Sequence, residues 1–206
     1  MHIVFDFDGT LFDTHALWQA WLDQLEQLGV NRDEADETGE ELFKIGFTLR
    51  DHGEMVGLNG DELDQLVSDF EEYTRQESER LIYEDVSECL DAWGSDHSFS
   101  ILTFGHPEYQ NFKIEAVGLN DLVSDIRIAR PERVKSMQLA EMLAESDEPM
   151  MFIDDNPKEL QSVHDQGLDI ELVRMCREGS RHCNESHEHD GNGWRNIHSL
   201  EELFTQ

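Results

Sequence analysis

Short apolar runs, each long enough for one buried strand, recur along this chain with helical stretches of about ten residues between them. The runs are 2–8, 98–104, 122–129, 149–154 and 169–174. The stretches 107–117, 132–145 and 157–166 carry apolar residues at helical spacing, as in Val134, Met137, Leu139, Met142 and Leu143. Strands that alternate with helices in this way form a parallel sheet covered on both faces, because each crossover must pass over the sheet and pack on it. The pattern therefore predicts a doubly wound, Rossmann-like α/β core.

One interval breaks the rhythm. Between the first two strand runs lie about 70 residues that read as helix without an evident strand. Residues 15–28 carry Leu17, Trp18, Trp21, Leu22, Leu25 and Leu28 on one stripe, and Gly29 stops them. Residues 34–49 read as a second helix, and the glycine-rich stretch 50–60 reads as a bend. Asp61 is placed to cap a helix over 62–80. Further short helices are expected over 86–93 and 198–204, with a polar, irregular segment over 177–196. The expected organisation is a core made of residues 1–13 and 84–206, with a helical cap inserted at 14–83.

Open parallel sheets bind ligands beyond the C-terminal ends of their strands. Three such ends here carry polar groups: Asp6 and Asp8, then Thr103, then Asp154 and Asp155. Two carboxylates as close as Asp6 and Asp8 cannot sit at an apolar sheet edge unless a cation or protons neutralise them. Hard oxygen ligands suit magnesium. A carboxylate beside such a cation can attack a phosphoryl group, since the cation offsets the repulsion of two anions. A second carboxylate can protonate the leaving oxygen and later deprotonate the attacking water. Gly9 allows the backbone to approach a phosphate closely. A calcium loop is excluded, because Leu11 stands where its glycine is needed.

Asp6-Phe7-Asp8-Gly9-Thr10-Leu11-Phe12-Asp13-Thr14 resembles the first motif of the haloacid dehalogenase (HAD) superfamily, whose members are mostly phosphohydrolases. The resemblance continues in order along nearly the whole chain. Thr103, ending the second core strand, matches the hydroxyl that binds a phosphate oxygen. Lys135 matches the lysine that keeps the nucleophile ionised and offsets phosphate charge. Met150-Met151-Phe152-Ile153-Asp154-Asp155-Asn156-Pro157 matches the last motif, an apolar strand ending in paired acids. The resemblance implies Asp6 as nucleophile, Asp8 as acid/base, and Thr103, Lys135 and Gly9 around the phosphate. It implies Mg2+ held by Asp6, Asp8, Asp154 and Asp155, with Asp155 the direct ligand of the last pair. The family also uses the backbone carbonyl at the position of Asp8. Lys113 lies too close to Thr103 to suit the lysine motif and is expected at the surface. Many small-molecule members have Asn after the Thr; here Phe104-Gly105-His106 follows, which departs from the known phosphatase subgroups. A cap of this size points to a small phosphorylated metabolite rather than a phosphoprotein. Trp18, Lys44, Arg50 and His52 are placed either to face its pocket or to serve as ordinary core and surface.

Charge narrows the partners. With 47 acidic and 15 basic residues the formal net charge is −32, and only four lysines are present. Such a surface repels nucleic acid and anionic membranes. It suits a strongly solvated protein, a salty interior, or a basic partner. Three cysteines make no disulfide framework, the first strand run begins at residue 2, and no apolar run approaches a membrane span. A reducing cytoplasm is the expected location, and nothing in the sequence sets the oligomeric state. Cys176, His182, Cys183, His187 and His189 read either as a zinc site or as a polar loop. Three readings stand beside a magnesium-dependent phosphatase: a phosphomutase, a dehalogenase attacking carbon, and a non-catalytic binding protein on the same scaffold.

Overall fold

The computed structural model describes residues 1–183 and 193–203. Its core is one six-stranded sheet, every neighbouring pair of strands parallel. In chain order the strands are β1 (His2–Phe5), β2 (Ser98–Phe104), β3 (Asp125–Ala129), β4 (Met150–Asp154), β5 (Ile170–Met175) and β6 (Arg195–Ile197). In space the order is β3-β2-β1-β4-β5-β6. The chain thus builds outward from β1 on one side, then crosses to β4 on the other. The switch point lies between β1 and β4, where doubly wound sheets open a ligand crevice.

The central strands are apolar on both faces, and their alternation sorts residues into two packed layers. Ile3, Phe5, Ile101, Met151, Ile153 and Val173 face one layer. Val4, Leu102, Met150, Phe152 and Leu172 face the other. Helices α6 (Glu84–Trp93) and α7 (Pro107–Ala116) cover the first face through Val86, Leu90 and Ile114. Helices α8 (Lys135–Glu145) and α9 (Pro157–Asp165) cover the second through Leu139, Met142, Leu160 and Val163.

Between β1 and α6 the chain forms α1 (Thr14–Gln27), α2 (Arg32–Phe43), α3 (Leu49–Met55), α4 (Gly60–Gln76) and α5 (Ser78–Leu81). The two ends of this insertion are tied together: Asp13 N–H donates to Leu81 C=O at 2.7 Å, and Tyr83 N–H to Leu11 C=O at 3.1 Å. Asp13 also caps α1 by accepting from Ala16 N–H. Leu17, Trp21, Leu25, Leu66 and Phe70 are buried and continuous with the layer on the first sheet face. Each such side chain contributes roughly 1.5–3 kcal/mol by leaving water.

Several expected boundaries move. The helix expected over 34–49 ends at Phe43, because Gly46 adopts φ +116° and turns the chain. The bend expected over 50–60 contains α3, whose cap Thr48 accepts from Asp51 N–H. Its His52 is fully buried: it accepts from Trp21 Nε1 and donates Nε2–H to Ala35 C=O. His52 is therefore core, and burial lowers its pKa. Lys44 and Arg50 are exposed and paired with Glu41 and Asp64. Trp18 donates to Asp36. The helix after Asn59 starts at Gly60 and breaks at Glu77. The third strand starts only at Asp125, the helix expected over 132–145 only at Lys135, and the closing helix is a 3₁₀ turn over Leu200–Leu203. At the end of the expected irregular segment and one residue past it, Arg195–Ile197 adds a sixth strand beside β5. No described helix is long and apolar enough to cross a membrane.

Candidate active site

The central position of β1 decides where the acids meet. Phe5 pairs with Ile101 of β2 on one side and Ile153 of β4 on the other. One residue further, Asp6 N–H donates to Ile153 C=O at 2.8 Å, which holds Asp6 beside the end of β4. The chain then wraps tightly around Phe7: the N–H groups of Thr10, Leu11 and Phe12 all point at the Phe7 carbonyl. Gly9 makes this wrap possible at φ +77°. A Cβ at Gly9 would stand 2.5 Å from Asp155 Oδ2, so the loop and the end of β4 are in close contact.

Asp6, Asp154 and Asp155 each present an oxygen, and these oxygens lie within 4.8 Å of one another. All three residues are buried. Asp154 is fixed twice: its Oδ1 accepts from Asn156 N–H at 2.8 Å and its Oδ2 from Lys135 Nζ at 2.7 Å. Asn156 caps α9 by accepting from Lys158 N–H. Lys135 also donates to Asp6 Oδ1 at 2.6 Å and is 4% exposed. As the first residue of α8 it sits at the positive end of a helix dipole, an unfavourable place for a cation. The two carboxylates outweigh that.

One ammonium does not balance three buried carboxylates. Burial pushes the Asp6 pKa to about 8, aided by Asp154 and Asp8 and opposed by Lys135. Burial and the neighbouring acids Asp6 and Asp154 also raise Asp155 well above the usual carboxylate range. For Lys135, burial works against the charge, but Asp154 and Asp6 prevail and raise its pKa. A cluster of hard oxygens with surplus negative charge fits a small divalent cation such as magnesium.

Asp8 stands apart from this group, so its side chain does not join the ligand cluster expected from the sequence. Its Oδ1 accepts from Thr14 Oγ1 at 2.6 Å and from Lys113 Nζ, and its Oδ2 accepts from Gln110 Nε2 at 2.7 Å. Burial pushes its pKa up, but Lys113, Thr14 and Gln110 more than reverse that, and it lies below the ordinary value. Lys113 corrects the expectation of a surface residue: it is 3% exposed. Its spacing from Ile114 and Gln110 places it on the inner side of α7, a signal that the short distance to Thr103 obscured.

Thr103 is fully buried near the end of β2, and its Oγ1 has no hydrogen-bond partner among the described residues. An unmet buried hydroxyl costs about 1–3 kcal/mol, so this site is arranged for something that supplies the bond. Past Phe104, a cleft of about 430 Å³ is lined by Ile45 of the insertion with Gly105, His106, Pro107, Arg130 and Glu132, among others, of the core. Of the residues that read either as a zinc site or as a polar loop, Cys176 follows β5, and His182 and Cys183 sit in a turn. His187 and His189 lie outside the described residues.

The haloacid dehalogenase-like hydrolase family model matches residues 1–166. No curated protein matches the chain. Among solved structures, a Burkholderia xenovorans protein assigned as a haloacid dehalogenase-like hydrolase superposes with TM-score 0.72 at 17% identity, covering 98% of this chain and 94% of that one. A magnesium-bound Bacillus subtilis protein, YfnB, assigned as a HAD-hydrolase, gives 0.65 at 13% identity, covering 98% and 96%. A 2-haloacid dehalogenase of Pseudomonas syringae gives 0.64 at 20% identity, covering 98% and 95%. At these identities the superpositions speak for the fold alone. The match of the family model over most of the chain, with its acids gathered at the switch point, makes this protein a member of the haloacid dehalogenase-like hydrolases.

Proposed function

We propose that this hydrolase is a magnesium-dependent phosphatase that cleaves a small phosphate monoester through an aspartyl-phosphate on Asp6. The observation that carries the reading is the convergence of Asp6, Asp154 and Asp155 within 4.8 Å in a buried setting. Attack on a carbon–halogen bond needs one carboxylate nucleophile and no cation. Attack on a phosphoryl group brings further negative charge to the site and needs the cation this cluster suits. The magnesium-bound relative is consistent with that choice.

The chain's residues divide the work. Oδ1 of Asp6 is taken by Lys135, which leaves Oδ2, with only a 3.5 Å contact from Thr10 Oγ1, to attack phosphorus. As the Asp6–phosphorus bond forms, the bond to the ester oxygen breaks, and Asp8, whose pKa the anionic phosphate beside it raises from its substrate-free position below the ordinary value, gives that oxygen the proton it then holds. Asp8 then takes a proton from the water that attacks phosphorus, releasing phosphate and restoring Asp6. Thr103 Oγ1 holds a phosphoryl oxygen, and Gly9, with no side chain, lets the phosphate approach the loop closely. The carboxylates of Asp6, Asp154 and Asp155 and the backbone carbonyl of Asp8 would hold a magnesium ion, which would offset the repulsion between nucleophile and phosphoryl group. The helices at 14–83 act as a cap, and the cleft at Ile45 and Arg130 takes the organic part of the ester.

Phosphate release from 4-nitrophenyl phosphate, with magnesium and with chelator at low and high salt, tests this. Release that requires magnesium supports it; none across a panel of small phosphates overturns it. Transfer of the phosphoryl group back to an organic hydroxyl, in place of phosphate release, would mark a phosphomutase instead. Gly9→Ala gives a second expected result. Its Cβ meets Asp155 at 2.5 Å in a backbone region that costs an L-residue about 1–2 kcal/mol. Titration calorimetry is expected to show magnesium binding weakened by about 10-fold or more, with a lowered melting temperature.

A further inference from the structure

The Asp8 carboxylate is held by more than the motif that contains it. Thr14 belongs to that motif, but Lys113 and Gln110 come from α7, about a hundred residues later, and no motif singled out in the sequence includes them. Lys113 is 3% exposed, and its ammonium lies 5.3 Å from the ring centres of Phe7 and Tyr109 and 5.4 Å from that of Phe12. The rings strip water from the cation while offering their faces to it. Its one ion-pair partner among the described residues is Asp8. Gln110 is buried, and its amide bridges Asp8 Oδ2 at 2.7 Å and the Phe104 carbonyl at 2.5 Å, which ties Asp8 to the end of β2. A Cβ at Gly105 would stand 2.7 Å from that amide nitrogen, so the glycine after Phe104 leaves the space Gln110 needs.

Two carboxylate oxygens with three donors from two directions have little rotational freedom. We infer that Lys113 and Gln110 are positioning residues that fix the direction of the Asp8 carboxylate, and through it the path of the proton to and from the ester oxygen. The inference rests on the role proposed above for Asp8. It also gives Gly105 a meaning: with no side chain there, the chain leaves room for Gln110 to reach Asp8. A buried cation paired only for stability makes a different prediction, because it affects every substrate alike.

The test uses three aryl phosphates of similar shape whose leaving phenols differ in acidity: 2,4-dinitrophenyl, 4-nitrophenyl and phenyl phosphate. Protonation of the leaving oxygen matters most for phenyl phosphate and least for the dinitro ester. Positioned acid–base groups contribute about 10²–10⁴-fold. Lys113→Met is therefore expected to lower kcat on phenyl phosphate by about 10-fold or more, with the dinitro ester within about 3-fold and KM nearly unchanged. In an Asp8→Asn background the same substitution is expected to add little, as for residues acting as one unit. The ratio between esters is taken within one preparation, so a partly unfolded sample lowers all rates together and leaves it unchanged. Gln110→Met, read in the same way, serves if Lys113→Met does not fold. Equal losses on all three esters, no loss, a gain on phenyl phosphate, or full additivity with Asp8→Asn would overturn the inference and leave the phosphatase reading standing. Failure of the unsubstituted enzyme to release phosphate from any of them would instead sink that reading, and this inference with it.

Discussion

Asp6→Asn is expected to abolish phosphate release, by on the order of 10⁴-fold or more, while making the cation-free protein more resistant to heat at pH 7–8. The activity loss follows from the covalent step: an amide oxygen cannot form the aspartyl-phosphate, and losing a nucleophile that acts as part of a unit costs nearly the whole effect of the unit. The stability gain follows from charge. Asp6 has a folded pKa of about 8 against about 3.9 unfolded, so between these values the folded state holds the extra proton. Stability contributed by that proton is fully present below about pH 4 and is lost as pH rises towards 8. An amide has no such proton to lose. Thermal melts with chelator should therefore show the variant above the parent near pH 8, the two converging towards pH 4. Added magnesium should raise the parent more than the variant. A variant that melts below the parent at pH 8 without cation would contradict the crowding of charge described for this cluster.

Lys135→Met is expected to damage both properties at once. Removing one partner from a buried ion pair costs about 3–5 kcal/mol, because the charges left behind have no compensation. Here Asp6 and Asp154 both lose their cation, at 2.6 and 2.7 Å, and Asp155 lies beside them. Denaturant unfolding at pH 8 without magnesium should show this loss. At pH 5 it should shrink, since protons then neutralise what the lysine no longer can. Activity is expected to fall by about 10²–10³-fold, the usual cost of removing one preorganised electrostatic group from a phosphoryl site. A variant that unfolds like the parent at pH 8 would mean that Lys135 is not what balances the acids.

Much of this was legible in the sequence because it depends on local rules. Period-two alternation and runs apolar on both faces mark β1, β2 and β4, and strand–helix alternation marks a parallel sheet. Asp6, Thr103 and the Asp154–Asp155 pair fall at strand ends by simple counting. The missed features depend on contacts remote in sequence. β6 is three residues long and carries Arg195 and Asn196, so it has no pattern of its own and exists because β5 offers an open edge. The break at 44–48 turns on Gly46, whose φ of +116° places it against His106 of the core. Lys113 looked like surface because lysine usually is. Only the fold shows that its helix turns it inward to three rings and a carboxylate.

The sequence by itself determined five of the sheet's strands, their parallel sense and the acids that they carry to one edge, because those follow from spacing along a single chain. The tertiary structure decided which of the acids converge, that Lys135 bridges two of them, and that Asp8 is held apart from them by Lys113 and Gln110. The reason is physical. Backbone periodicity fixes where a side chain starts, but the charge and solvent around it come from elements about a hundred residues away, and these set both its direction and its protonation.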